Sequence, residues 1–100
     1  MIVEFLDEAR FELLLASARY EEEVQGLGSD LLDEVAHAVG RLVTFPRQGS
    51  PHLAGTRRLV LRRFPFDVVY LDEPDKLLIV AIAHHKRSPG YWRRRIDTSE

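Results

Sequence analysis

Cysteine is absent from these 100 residues. That excludes a disulfide framework, a thiolate zinc site and a cysteine nucleophile, and it is compatible with a reducing compartment. Long apolar runs are also missing. The longest, Leu77–Ala83, falls far short of the roughly 20 residues a membrane helix needs. Lysine is scarce, with only Lys76 and Lys86. The N-terminus has acids at Glu4, Asp7 and Glu8, the wrong charge pattern for a secretory signal. No repeat, low-complexity tract or linker divides the chain. Residues 1–100 therefore read as one domain with a small but sufficient core.

The charge that is present is unevenly placed. The formal net charge is only −2, yet residues 1–40 carry ten acids and two bases, and residues 41–100 carry twelve bases and six acids. No acid occurs between Glu34 and Asp67, or between Asp75 and Asp97. The first gap holds Arg41, Arg47, Arg57, Arg58, Arg62 and Arg63, and the second holds Lys76, Lys86, Arg87, Arg93, Arg94 and Arg95. Arginine suits bidentate phosphate contact and stacking on planar groups. Tyr91 and Trp92 stand among these bases, a pairing used by single-stranded nucleic-acid sites and protein hot spots. The expectation is a basic binding face built from Arg57, Arg58, Arg62, Arg63, Lys86, Arg87, Trp92 and Arg93. Trp92 also has a second role open to it, covering an edge of the core.

Periodicity divides the chain into helices followed by strands. Met1–Phe5 is short, apolar and β-prone. Ala9, Leu13, Ala16, Tyr20 and Val24 then recur at helical spacing, with Asp7 as N-cap and Glu8, Glu12, Glu22 and Glu23 mostly on the wet side. Glu21-Glu22-Glu23 sits where the helix dipole disfavours negative charge, and solvent screening accounts for it. Gly26–Ser29 punctuates. Leu31, Val35, Ala38, Leu42 and Phe45 form a second stripe, stopped by Pro46. Residues 46–56 read as a loop. Arg57–Arg63, Phe66–Asp72 and Lys76–His84 read as strands joined by short turns, hence antiparallel. Tyr91–Ile96 reads as a last helical turn. The predicted class is α+β, order β-α-α-β-β-β, with a helical hairpin on a mostly antiparallel sheet. The partner of the first strand is not legible.

Adjacent strand residues point to opposite faces, so His84 and His85 do not form a paired metal site. No third ligand stands at useful spacing, so no metal or other cofactor is expected. His37 reads as a helix-flank residue, and Tyr20 and Tyr70 as core.

The C-terminal half carries a resemblance. Arg57-Arg58-Leu59 leads into Arg62-Arg63-Phe64-Pro65-Phe66-Asp67-Val68-Val69-Tyr70. Leu78–Arg87 and Pro89-Gly90-Tyr91-Trp92 follow. Their order and spacing, with the two helices before them, resemble the RelE/ParE toxin superfamily. These are the toxin halves of bacterial type II toxin–antitoxin modules, often labelled plasmid stabilisation proteins. The resemblance implies the β-α-α-β-β-β fold, a cognate antitoxin, a toxin–antitoxin hetero-oligomer, and a cytoplasmic setting without a membrane. ParE-like members poison DNA gyrase, and RelE-like members cut mRNA on the ribosome without a metal.

Metal-free RNA cleavage needs a base for the 2′-hydroxyl, charge stabilisation at the phosphorane, and an acid for the leaving oxygen. If the chain is a nuclease, Arg87 would stabilise phosphate. Tyr91 would stack a base or move a proton, and His84 would supply proton chemistry near neutral pH. Against that, Asp67 stands where RelE-like toxins place an arginine, and the lysines of the RelE strand are missing. The expectation is a ParE-like growth inhibitor acting on gyrase. A ribosome-dependent mRNA endoribonuclease and a non-toxic partner-binding module are the alternatives.

Overall fold

The computed structural model describes residues 2–97. In chain order they form β1 (Ile2–Phe5), α1 (Asp7–Glu23), α2 (Leu27–Thr44), β2 (Ser50–Pro51), β3 (Arg57–Val60), β4 (Phe66–Asp72) and β5 (Lys76–His84). Short 3₁₀ turns cover Leu53–Gly55 and Arg93–Arg95. The expected α+β architecture is present: two helices lie on one face of a five-stranded mixed sheet ordered β1-β5-β4-β3-β2. The partner of β1 is β5, paired in parallel from Ile2↔Lys76 to Phe5↔Ile79. The other pairings are antiparallel. The expected 46–56 loop contains the two-residue β2, which covers only the start of β3. Among the described residues no helix is long and apolar enough to cross a membrane.

Strand β5 is buried from Leu77 to Ala83 because both its faces are covered. Leu77, Ile79 and Ile82 meet the helices. Leu78, Val80, Ala81 and Ala83 join Val69 and Trp92 on the far side. The strict two-residue alternation breaks at a bulge: Val69 pairs with Ala81 and Tyr70 with Ile79, so Val80 is extra. The bulge resets which face each later residue takes. It puts His84 beside Phe66 on the helix side, with ring centroids 5.0 Å apart, and sends His85 to Asp67.

Helix α2 buries its stripe as expected, with Leu31, Val35, Ala38, Val39 and Leu42 all inside. The stripe ends there. Phe45 lies past the helix end and is exposed, as is Val24 after α1. Asp7 is the first residue of α1 rather than its N-cap, which is Leu6. Its carboxylate still lies at the positive end of the helix dipole.

Glu21 corrects the screening explanation. Its two oxygens accept hydrogen bonds from Gly26 N (2.8 Å) and Gly28 N (3.0 Å), so an acid ending α1 caps the start of α2. Gly26 takes φ +90°, and a β-carbon at Gly28 would run into the Ser17 carbonyl. Glycine is therefore required at both places for the hairpin to close.

Glu12 is the second correction. Far from the wet side, it holds the C-terminal segment. Its carboxylate accepts from Tyr91 Oη (2.5 Å), from both terminal nitrogens of Arg95 (2.9 and 2.7 Å) and from the Ile82 amide (3.0 Å). Arg95 in turn donates to the Val80 carbonyl. Past the end of β1, these side chains satisfy β5 backbone groups that would otherwise be orphaned.

Candidate functional site

On the sheet face away from the helices, a cleft of about 320 Å³ opens between β3–β5 and the segment after β5. Register explains its lining. Arg58 lies opposite Val69, Val60 opposite Asp67, and Asp67 opposite Ala83, so all five share that face. Asp67 is at its centre, with a side chain only 12% exposed. His85 Nε2 lies 2.9 Å from its Oδ1, and Arg58 Nη1 lies 3.6 Å from its Oδ2. A carboxylate can only accept, so His85 Nε2 carries the hydrogen. His52 stands beside Trp92, with ring centroids 5.8 Å apart. Burial lowers the pKa of both His52 and His84, so each favours the neutral imidazole.

Arg87 forms the ridge between this cleft and a second hollow on the α1 side. Its guanidinium lies 3.8 Å from the centre of the Tyr91 ring, and Arg95 is 5.2 Å from the same ring. Burial first, and then the hydrogen bond to Glu12, raises the Tyr91 pKa well above its ordinary value. Its hydroxyl proton is committed to Glu12, which leaves the ring face for Arg87.

The expected basic residues do not share one face. Arg58, Arg87, Tyr91 and Trp92 line the cleft, and His84 borders it although its ring packs on Phe66 on the helix side. Lys86 lies on the α1 side. Arg57 points toward the loop, donating to the carbonyls of Gly49 (2.7 Å) and Arg47 (3.3 Å). Arg62 and Arg63 lie beyond β3, which ends at Val60 instead of Arg63. Their backbone amides donate to Glu34 of α2 (2.6 and 3.3 Å) rather than to a strand, and the Arg63 side chain reaches Asp30. Trp92 is 1% exposed and plugs the outer face of the sheet, so it is a core residue and offers no stacking platform. Arg93 is exposed, its stem lying along Gly90.

His85 and Asp67 are the pair that sequence reasoning did not join. Their positions, 18 apart, give no periodic signal. Only the bulge and the β4–β5 register bring them together.

With Asp67 at its centre, the cleft is a poor phosphate seat. A phosphate oxygen about 4 Å from that carboxylate meets roughly 4 kcal/mol of repulsion at an effective dielectric near 20. Arg58, the closest cation to offset it, already faces Asp67.

Residues 3–89 match the family described as the ParE toxin of the type II toxin–antitoxin system parDE. The chain belongs to the ParE toxin family. No curated protein matches it significantly. Among solved structures, a chain of the chromosomal ParDE toxin–antitoxin system from P. aeruginosa is similar, with a TM-score of 0.73 and 19% identity. The match covers 84% of this chain and 95% of that one. The family match stops before Tyr91, so the Tyr91–Arg95 segment held by Glu12 lies outside it.

Proposed function

We propose that this chain is the growth-inhibiting toxin of a type II toxin–antitoxin pair, acting on DNA gyrase by binding and neutralised by a cognate antitoxin. One observation carries the preference for gyrase over RNA: the carboxylate of Asp67 lines the cleft on the outer sheet face and is held there by His85. An acid there opposes the phosphate that a nuclease must bind. Tyr91, with its proton donated to Glu12, is also poorly placed to exchange protons with a substrate. The exposed cations Arg87 and Arg93, neither of them ion-paired among the described residues, are available to a protein surface.

A second reading, a ribosome-dependent mRNA endoribonuclease, has the oriented Asp67–His85 pair in its favour, since a carboxylate-held imidazole is a competent general base. Expression without the antitoxin separates the two. Growth arrest with gyrase-dependent DNA breaks and intact mRNA is the expected result. Arrest with cuts in translated mRNA, weakened by His85→Gln, would replace the gyrase reading with the nuclease one. Unimpeded growth would leave a partner-binding module without toxicity.

A further inference from the structure

We propose that the outer ridge of α1 is the contact through which two copies of this chain associate, their first helices running antiparallel about a twofold axis. Asp7, Phe11, Leu15 and Arg19 follow one another at intervals of four, so they form one continuous ridge on the helix surface. All four are exposed, Phe11 by 64% and Leu15 by 38%. The ridge is acidic at one end, apolar in the middle and basic at the other. Among the described residues neither Asp7 nor Arg19 is ion-paired. Glu8 adds to the acidic end, and Lys86, which borders the same hollow as Arg19, adds to the basic end.

Such a ridge is complementary to itself when turned round. In a twofold contact, residue i of one copy meets j of the other, and j meets i. Setting Phe11 against Leu15 of the second copy brings Asp7 against Arg19 of that copy, because both pairs are symmetric about Leu13. Each contact then occurs twice. Charge fixes this register. A slide of one helical turn sets Asp7 against Glu23 and Glu8 against Glu22, acid on acid, and a slide the other way buries Asp7 against Leu15. In the register about Leu13, Glu22 and Glu23 lie past the start of the second copy's helix. A hollow of about 470 Å³ beside Phe11 and Leu15 gives the second copy's Phe11 a place to enter. Arg87 and Arg95 also line it, and both are engaged over the Tyr91 ring. A polyanion would meet Asp7 and Glu8 at one end of the ridge, whereas a second copy offers each end its opposite charge. The cleft lies on the other face of the sheet, so the pair leaves both clefts open. A contact of about three helical turns a side is at the small end of specific interfaces, so the dissociation constant is expected in the micromolar range.

Sedimentation equilibrium of the purified chain alone, from about 1 µM to about 1 mM, tests this over the range in which weak complexes form. The wild-type chain is expected to pass from monomer to dimer. Asp7→Arg and Arg19→Asp each create two like-charge contacts, and each alone should weaken the dimer by about tenfold or more. Mixed in equal amounts, they form a heterodimer in which both contacts are again between opposite charges. That mixture should associate within about threefold of wild type. Phe11→Ser should weaken self-association whatever it is mixed with. Thermal melts check that the variants remain folded, and if a charge reversal unfolds, Phe11→Ser decides the matter by itself. A wild-type chain that stays monomeric throughout overturns the proposal and leaves the ridge to a different protein. So does a dimer that either charge reversal or Phe11→Ser leaves within about twofold of wild type, which puts the contact elsewhere. A mixture of the two reversals no tighter than its components overturns the antiparallel arrangement, and the proposal with it.

Discussion

The two helices of the hairpin are nearly equal in length and do different work. Helix α2 buries Leu31, Val35, Val39 and Leu42 with the smaller Ala38, and Leu32 is the one large apolar side chain it leaves exposed. Helix α1 has a single buried residue, Ala9, and half-buries Leu13, Ala16 and Tyr20. It leaves Phe11, Leu14 and Leu15 exposed and spends two acids on other elements: Glu21 caps α2, and Glu12 anchors the C-terminal segment. A helix that is apolar on two sides and tied at both ends to its neighbours is an organiser with a surface to spare. A helix with one clean apolar stripe is scaffold. The contrast places close packing in α2 and uncovered apolar surface on α1.

Leucine truncation tests the contrast most severely. Leu42→Ala in α2 should cost about 2–5 kcal/mol, the usual range for emptying a packed site. Leu14→Ala in α1 should stay within about 0.5 kcal/mol. Urea unfolding of the pair measures both, and equal costs would erase the distinction. Next in size is Glu12→Gln, which removes charge-assisted hydrogen bonds to Arg95 at a cost of about 1.5–3 kcal/mol. Its signature is local: faster hydrogen exchange at the Ile82 amide, with the α2 amides unchanged. Glu21→Ala should cost about 1 kcal/mol, a normal value for a lost N-terminal cap. Its effect should appear at the start of α2 even though the substitution is in α1.

The smallest effect is expected from pH. His52 and His84 have lowered pKa values through burial. Below their ordinary value of about 6.5 the unfolded chain therefore binds more protons than the folded one. Their contribution is complete above that pH and fades as pH falls through the folded values. Urea midpoints at pH 7.5 and 5.5 should differ in that direction, and His84→Gln should reduce the difference. Tyr91 has the opposite sense. Its raised pKa favours the protonated phenol in the fold, so its contribution holds below about pH 10 and is lost at more alkaline pH. Absorbance titration of the phenols follows this directly.

What the sequence made legible was periodic. The α2 stripe, the continuous apolar run of β5 and the short turns between β3, β4 and β5 each announce themselves within a window of a few residues. What it hid was long-range. Glu12 and Arg95 are 83 positions apart, and on a helical wheel Glu12 is one acid among several. The bulge at Val80 leaves no mark in an unbroken aliphatic run, yet it decides that His85 rather than His84 meets Asp67. The arginines are contiguous in sequence but scattered in space. β3 stops at Val60, and Glu34 draws the next two backbone amides toward α2. Charge counted along the chain could not foresee that dispersal.

The parallel pairing of β1 with β5 has a consequence for synthesis. Ile2 waits for Lys76, and Glu12 waits for Arg95. Strand β1 therefore has no native sheet partner until Lys76 and the residues after it have been added, whereas the helical hairpin in between can form from local contacts. Closure across such separations is entropically costly and slow compared with local helix formation. A ribosome-bound chain thus carries its helices before its sheet, and the finished surface, cleft included, comes into being only after translation has passed the Tyr91–Arg95 segment.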